Sequence, residues 1–168
     1  MSRLFRAVAL LPLVLPGSAP SGSAPAGPQV LDRLVGSWEG EGELFGRPAT
    51  FSMTWSPVLA GEFLRLEYEN RLVEADGSHR TVLEAFALYR VAEGERLRGT
   101  WFDTRGQVLE LRAVATDSTL VTRWIGESEQ GRTTYRVIDS GTVEVEDDVL
   151  EDKGWRRFGK ATYRRVAP

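Results

Sequence analysis

The feature that most constrains this chain is the regular alternation of short β-prone segments with breaks that contain glycine or aspartate. From Trp38 onward, β-branched, aromatic and leucine residues alternate with polar ones, and no segment of useful length has a helical period. The breaks, such as Ala75-Asp76-Gly77-Ser78 and Glu93-Gly94-Glu95, suit tight hairpin turns. The pattern predicts ten strands, at Trp38–Phe45, Thr50–Val58, Phe63–Val73, Thr81–Val91, Arg96–Asp103, Val108–Thr116, Thr119–Gly126, Thr133–Ser140, Thr142–Leu150 and Trp155–Val166.

Short connections between consecutive strands predict an all-β, up-and-down antiparallel sheet. A sheet this long closes into a barrel or leaves two exposed edges, which proteins avoid. We therefore expect a closed barrel of about ten strands, with a Greek-key sandwich as the competing arrangement. Gln29–Val35 is the one helical candidate and is too short to be stable alone, so it is expected to plug one end of the barrel.

The N-terminal segment has the order of a signal peptide. Arg3 and Arg6 precede an apolar run over residues 7–15, and small residues follow, with Ala24 and Ala26 at the positions that a signal peptidase reads. The run is far shorter than the roughly 20 residues that a membrane anchor needs. The sequence predicts a signal peptide at 1–26, one domain at 27–168, and export to the periplasm or, without an outer membrane, to the medium.

Composition excludes several functions. The chain has no cysteine, which rules out disulfides, thiol catalysis and cysteine-based metal sites. Without Arg3 and Arg6 it would carry 19 basic and 24 acidic residues, a net charge of −5. Neither nucleic acid nor an anionic membrane surface is an expected partner, and no stable membrane insertion is expected after signal cleavage.

Alternation with period two assigns side chains to the two faces of the sheet. In the first strand Glu39, Glu41 and Glu43 lie on one face, and this acidic stripe does not converge with other ligands, so it is expected in water. Mid-strand glycines indicate sharp coiling or close approach of another group. The predicted inner rows, which would build the barrel around its five tryptophans, are Trp38-Gly40-Gly42-Leu44, Phe51-Met53-Trp55, Leu64-Leu66-Tyr68, Leu97-Gly99-Trp101 and Leu120-Thr122-Trp124.

Three aspartates share such inner rows: Asp103, Asp139 and Asp147. A polar group among aromatic residues orients a bound ligand. The other interpretation places these carboxylates at the barrel rims in water, or pairs them with arginines such as Arg123 or Arg165.

The run Leu34-Val35-Gly36-Ser37-Trp38 resembles the opening of the calycin barrels, which include lipocalins and fatty-acid-binding proteins. In that superfamily the tryptophan packs across the barrel end against an arginine of the last strand. The resemblance implies that Trp38 has a structural partner in Arg164 or Arg165.

A more specific combination is Gly36-Ser37-Trp38-Glu39-Gly40, Val58-Leu59-Ala60-Gly61-Glu62-Phe63-Leu64, Tyr89, and Gly99-Thr100-Trp101-Phe102-Asp103. Together these segments resemble a bacterial domain-of-unknown-function family, number fifteen seventy-nine. The resemblance covers about 31–166 and implies a lipocalin-like barrel. Distantly similar nitrobindin-like barrels bind haem through a histidine, but His79, the single histidine, lies in a predicted turn. We therefore expect no cofactor and no metal.

Three functions follow from these patterns. The favoured hypothesis is a non-catalytic binder of a small apolar or amphipathic molecule, whose carboxylate head could meet Arg123, Arg165 or Tyr163. The alternatives are a protein-interaction module of the cell envelope and an enzyme that uses Asp103 and Tyr89 as acid/base groups. The predicted ligand-binding residues are Trp55, Tyr68, Tyr89, Trp101, Asp103, Arg123, Trp124, Tyr135, Tyr163 and Arg165, and the predicted structural pair is Trp38 with Arg164.

Overall fold

Ten antiparallel strands form a closed barrel in which each strand pairs with its sequence neighbours and β1 pairs with β10. The computed structural model describes residues 28–91 and 94–167, so the predicted signal peptide at 1–26 lies outside the described residues. The elements are α1 Gln29–Leu34, β1 Gly36–Leu44, β2 Arg47–Val58, a 3₁₀ turn Leu59–Gly61, β3 Phe63–Val73, β4 His79–Arg90, β5 Arg96–Asp103, β6 Val108–Ala115, β7 Thr119–Ile125, β8 Gln130–Val137, β9 Thr142–Glu151 and β10 Gly154–Arg165.

The predicted closed meander is confirmed, and the sandwich alternative is wrong. Strand β8 differs most from its prediction, because it both begins and ends three residues earlier, at Gln130 and Val137. The turn expected at Gln130-Gly131 lies instead just before these residues, where the N–H of Gly126 donates to the carbonyl of Glu129 at 2.8 Å. Gln130 and Gly131 are therefore free to pair with Ile125 and Trp124.

Helix α1 plugs one end of the barrel, which we call the closed end. Its apolar residues Val30, Leu31 and Leu34 are buried. The indole N–H of Trp38 donates to the carbonyl of Leu34 at 2.8 Å, which ties the helix to the first strand. The opposite, open end carries the β1–β2, β3–β4, β5–β6, β7–β8 and β9–β10 turns. Across the described ranges, no helix has the length and apolar character needed to cross a membrane.

The predicted inner rows are confirmed, with one correction. Trp38 and Trp55 are 1% exposed and fill the closed half, and Trp101 and Trp124 pack against the core nearer the open end. Trp155 instead lies on the outer surface, 38% exposed. The interior is therefore built around four tryptophans, because the strand that carries Trp155 points this side chain away from the lumen.

Candidate functional site

A cavity of about 310 Å³ occupies the open half of the barrel. Phe45 and Phe158 stand at its mouth with their rings stacked 5.2 Å apart, and Trp124 meets Phe158 edge-on at 6.5 Å. Arg105 of the β5–β6 turn and Glu129 of the β7–β8 turn also line the mouth. The volume lies at the lower limit of ordinary small-molecule sites, about 300–1,000 Å³, so a compact ligand fits and a large one does not.

Five of the predicted ligand-binding residues line this cavity: Tyr68, Tyr89, Trp101, Trp124 and Tyr135. The rings of Tyr68 and Trp101 lie 5.8 Å apart. A Cβ on Gly131 would stand 1.9 Å from the Trp124 ring. The Trp124 indole therefore fits only because residue 131 has no side chain. The period-two alternation predicted that each of these side chains faces inward, and closure of the barrel brings them to one cavity.

Trp55 and Tyr163, also predicted to bind ligand, lie beneath the cavity. The Trp55 ring packs against Tyr89 at 5.6 Å and against Tyr135 at 5.4 Å. Tyr163 packs on Phe51 at 6.0 Å and is 1% exposed. Both side chains are buried in the core and support the cavity walls from below.

Arg123 does not face the cavity, which corrects its prediction as a ligand-binding residue. It is exposed on the outer surface, where its guanidinium lies 5.6 Å from the centroid of the Trp155 ring. Position 123 has the opposite parity to Thr122 and Trp124, so its side chain points outward. A ligand in the lumen cannot reach it.

Arg165, not Arg164, is the structural partner of Trp38, and it lies at the closed end, away from the cavity. Its guanidinium stands 4.1 Å from the centroid of the Trp38 ring. It donates to the carbonyls of Ser140 at 2.8 Å, Val35 at 2.6 Å and Arg33 at 2.6 Å. Arg164 donates to the Thr142 hydroxyl. Arg165 therefore takes the structural role predicted for Arg164, and neither arginine lines the cavity.

Asp103 is engaged in a turn and does not line the cavity. Its side chain accepts the Trp101 indole N–H at 3.0 Å, the Arg105 backbone N–H at 2.9 Å and the Arg105 guanidinium at 2.7 Å. Burial raises its pKa, but the hydrogen bonds from Arg105 and Trp101 outweigh burial and hold the pKa below the ordinary value. The hydroxyl of Tyr89 faces Thr122 at 3.3 Å instead. This geometry gives no support to an acid/base pair of Asp103 with Tyr89.

Asp147 places a carboxylate inside the cavity, whereas Glu129 lies at the mouth and pairs with Arg105. The alternation predicted an inward position for Asp147 but left open a rim position or an arginine partner. Its Oδ1 accepts the Thr133 hydroxyl at 2.6 Å, and a Cβ on Gly159 would stand 3.0 Å from Oδ2. A register shift between Arg157 and Gly159 brings that glycine opposite Asp147. Strand β10 thus makes room for the carboxylate, a long-range effect that the sequence does not reveal.

All four tyrosines of the chain surround this part of the interior. Burial raises the pKa of Asp147 to about 6, and the neighbouring Asp148 adds to the shift while the Thr133 hydroxyl opposes it. Burial also raises the pKa of Tyr68, Tyr135 and Tyr163, and the Asp147 charge raises each of them further. At neutral pH the lumen therefore holds an aspartate anion beside neutral phenols.

Asn70 contributes a second acceptor. It lines the cavity at 5% exposure, and its Oδ1 has no hydrogen-bond partner among the described residues. Buried polar atoms are rarely left unsatisfied, because each costs the desolvation of that atom. Asn70 continues the inner row Leu64-Leu66-Tyr68, so the alternation was a signal of this position, although the predicted row ended at Tyr68.

Asp147→Asn is expected to raise the free energy of unfolding by about 1 to 2 kcal/mol above pH 7. The native pKa of about 6 exceeds the ordinary value of 3.8, so the native state binds more protons, and stability is lost as pH rises from about 4 to 6. The amide removes that loss, and its advantage should vanish at pH 4. Urea unfolding at pH 4 and pH 8 measures the difference.

Asp148→Asn is the matched control on the adjacent residue. Asp148 faces outward and accepts from Arg157 at 2.8 Å and Arg132 at 3.0 Å. Burial raises its pKa, but these arginines outweigh burial and hold it below the ordinary value. This substitution should destabilise the protein at pH 8. A gain from Asp148→Asn, or equal effects of Asp147→Asn at both pH values, would contradict the assignment.

The remaining polar candidates do not form a site. Asp139 is exposed in the β8–β9 turn and accepts the Gly141 N–H at 2.8 Å, so it lies at the rim in water, the second of the two positions that the sequence allowed. Glu39, Glu41 and Glu43 are exposed on β1, as predicted. His79 is exposed and faces the Thr50 hydroxyl at 3.1 Å. Within the described ranges, no cluster of three or more acidic or histidine side chains could hold a metal ion.

The closed barrel with a plugged end and a lined lumen is a lipocalin-like fold. A solved structure with the same fold is that of an S-type phycobiliprotein lyase from Guillardia theta, at 11% sequence identity and a TM-score of 0.57. The match covers 82% of this chain and 91% of that one. No family model and no curated protein matches the chain, so the resemblance to family number fifteen seventy-nine stays a prediction.

Proposed function

We propose that this protein is an exported, non-catalytic binder of a small apolar or amphipathic molecule, held in the open half of the barrel. The observation that supports this most is the cavity of about 310 Å³, lined by Tyr68, Tyr89, Trp101, Trp124 and Tyr135. Aromatic walls with a few placed polar groups are typical of sites for such ligands. A lipocalin-like fold is compatible with this role but does not specify it.

The two other functions have less support. The enzyme hypothesis requires Asp103 and Tyr89 at one cavity, and Asp103 lies outside it. The interaction hypothesis requires an extended apolar surface, and the outer aromatic pair Phe86 and Phe102, stacked at 4.9 Å, offers a small one. The lumen is the better-developed binding surface.

Val82→Trp is expected to weaken binding of octan-1-ol by about tenfold or more. Val82 lines the cavity, and a larger side chain there competes with the ligand for the same space. Val114→Trp adds the same side chain on the outer surface, where Val114 is 47% exposed, and should leave the affinity within about twofold. Isothermal titration calorimetry of the three proteins measures the dissociation constants.

Native mass spectrometry of protein purified from its own cells completes this test. Extra mass that leaves on denaturation should be present in the wild type and in Val114→Trp and absent in Val82→Trp. The intact mass also tests export, since a chain that begins at Gly27 is expected. Equal octanol affinity in all three proteins would place binding outside the lumen and contradict the proposal.

A further inference from the structure

We infer that the ligand carries a cationic nitrogen, a protonated amine or a related base, and that Asp147 pairs with this group inside the lumen. The inference rests on the proposed function and adds to it the chemical class of the ligand. It also reverses the expectation of a carboxylate head, because Arg123, Arg165 and Tyr163 do not line the cavity.

The charges of the cavity wall support this class. Its cationic residues among those described are Arg105 and Arg156, both at the mouth. Arg105 already pairs with Asp103 at 2.7 Å and with Glu129 at 3.0 Å, and Arg156 pairs with Glu151 at 2.7 Å. Within the described part of the chain, no such cation pairs with Asp147. Asp147 is partly buried and Arg157 attracts it only through space, so the lumen offers its carboxylate no direct positive partner among the described residues.

The hydrogen-bonding groups of the lumen point to the same class. Asp147 keeps Oδ2 free of any hydrogen bond from the described residues, and the orphaned Oδ1 of Asn70 is a second acceptor in the same cavity. An ammonium group offers up to three donors and no acceptor, which matches two acceptors that lack donors. An alcohol offers one donor, and a carboxylate offers none.

The aromatic walls add a further attraction for a cation. Tyr68, Trp101 and Tyr135 line the cavity that Asp147 enters, and the Asp147 charge acts directly on Tyr68 and Tyr135. The faces of aromatic rings attract ammonium groups, most strongly where water is excluded. A carboxylate surrounded by such rings favours an amine over an uncharged group of the same size.

A series of eight-carbon probes tests this inference by calorimetry at pH 7.5. Octylamine, octan-1-ol and octanoic acid share one chain and differ in head-group charge. Wild type is expected to bind octylamine at least about tenfold more tightly than octanol, because a charge-assisted hydrogen bond adds to the burial of the chain. Octanoic acid should bind most weakly, since its charge repels that of Asp147.

Two substitutions identify the residue responsible. Asp147→Asn should weaken octylamine binding by about tenfold or more and weaken octanol binding less, because the neutral amide oxygen still accepts a hydroxyl but no longer attracts a cation. Glu41→Gln removes the same charge from the outer surface of β1 and should leave all three affinities unchanged. It therefore controls for attraction of the amine to the acidic protein as a whole.

The outcomes separate this inference from the proposed function. If octanol binds in the lumen but octylamine binds no better, or Asp147→Asn leaves octylamine affinity unchanged, the cationic class is wrong and the binder survives. Preference for octanoic acid would likewise overturn the inference. If Val82→Trp changes the affinity of no probe, binding in the lumen is wrong and the inference fails with it.

Discussion

Arg165→Ala is expected to lower the free energy of unfolding by about 3 kcal/mol. The guanidinium lies 4.1 Å from the Trp38 ring centroid and donates to three carbonyls of the closed end, those of Ser140, Val35 and Arg33. Two of these carbonyls belong to the end of α1 and the residue after it, so one side chain joins the plug to the last strand. Its loss removes a cation–π contact and three charge-assisted hydrogen bonds.

Arg164→Ala is the matched control, since it removes the same side chain one residue earlier. Arg164 makes one hydrogen bond, to the Thr142 hydroxyl, and its loss should cost within about 1 kcal/mol. Arg165→Lys should fall between the two, because an ammonium cannot reproduce the planar set of donors. Urea unfolding followed by tryptophan fluorescence measures all three. Equal losses for Arg164→Ala and Arg165→Ala would show that the plug is held in another way.

Gly42→Ala is expected to lower the free energy of unfolding by about 3 kcal/mol. Gly42 lies on β1 opposite Ala161 of β10, at the seam that closes the barrel. A Cβ at this position would stand 2.0 Å from the Lys160 carbonyl oxygen and 2.7 Å from the Ala161 Cα. These are backbone atoms, so the two strands must separate before the methyl group fits.

Gly46→Ala separates this steric cost from the conformational cost of replacing a glycine. Gly46 has a φ of +73°, which disfavours alanine by about 1 kcal/mol, and no atom lies within 4 Å of the added Cβ. Gly42 has no left-handed φ, but backbone atoms of the neighbouring strand lie too close to its added Cβ. Hydrogen exchange should show faster exchange at the β1–β10 seam in Gly42→Ala alone. A smaller loss in Gly42→Ala than in Gly46→Ala would contradict the close approach of the strands.

Several tertiary relations explain why the site was only partly predicted. The period-two alternation correctly predicted that aromatic side chains such as Tyr68, Trp101 and Trp124 face the cavity. Asp103 shares the parity of Trp101, yet the β5–β6 turn folds Arg105 onto it and occupies the carboxylate. Asp139 shares the parity of Val137, but β8 ends there and the chain turns outward. Parity predicts a direction only while the strand continues.

The sequence by itself determined the fold class, the ten strands, the meander order and the inner aromatic rows, because these depend on local turns and on a period of two. Only the tertiary structure decided which arginine holds Trp38, that Trp155 lies outside, and that Asp147 enters the lumen without an arginine partner among the described residues. Each of these depends on how distant strands align, as in the register shift that places Gly159 beside Asp147. Distances between residues far apart in the chain are fixed by barrel closure, which no local pattern encodes.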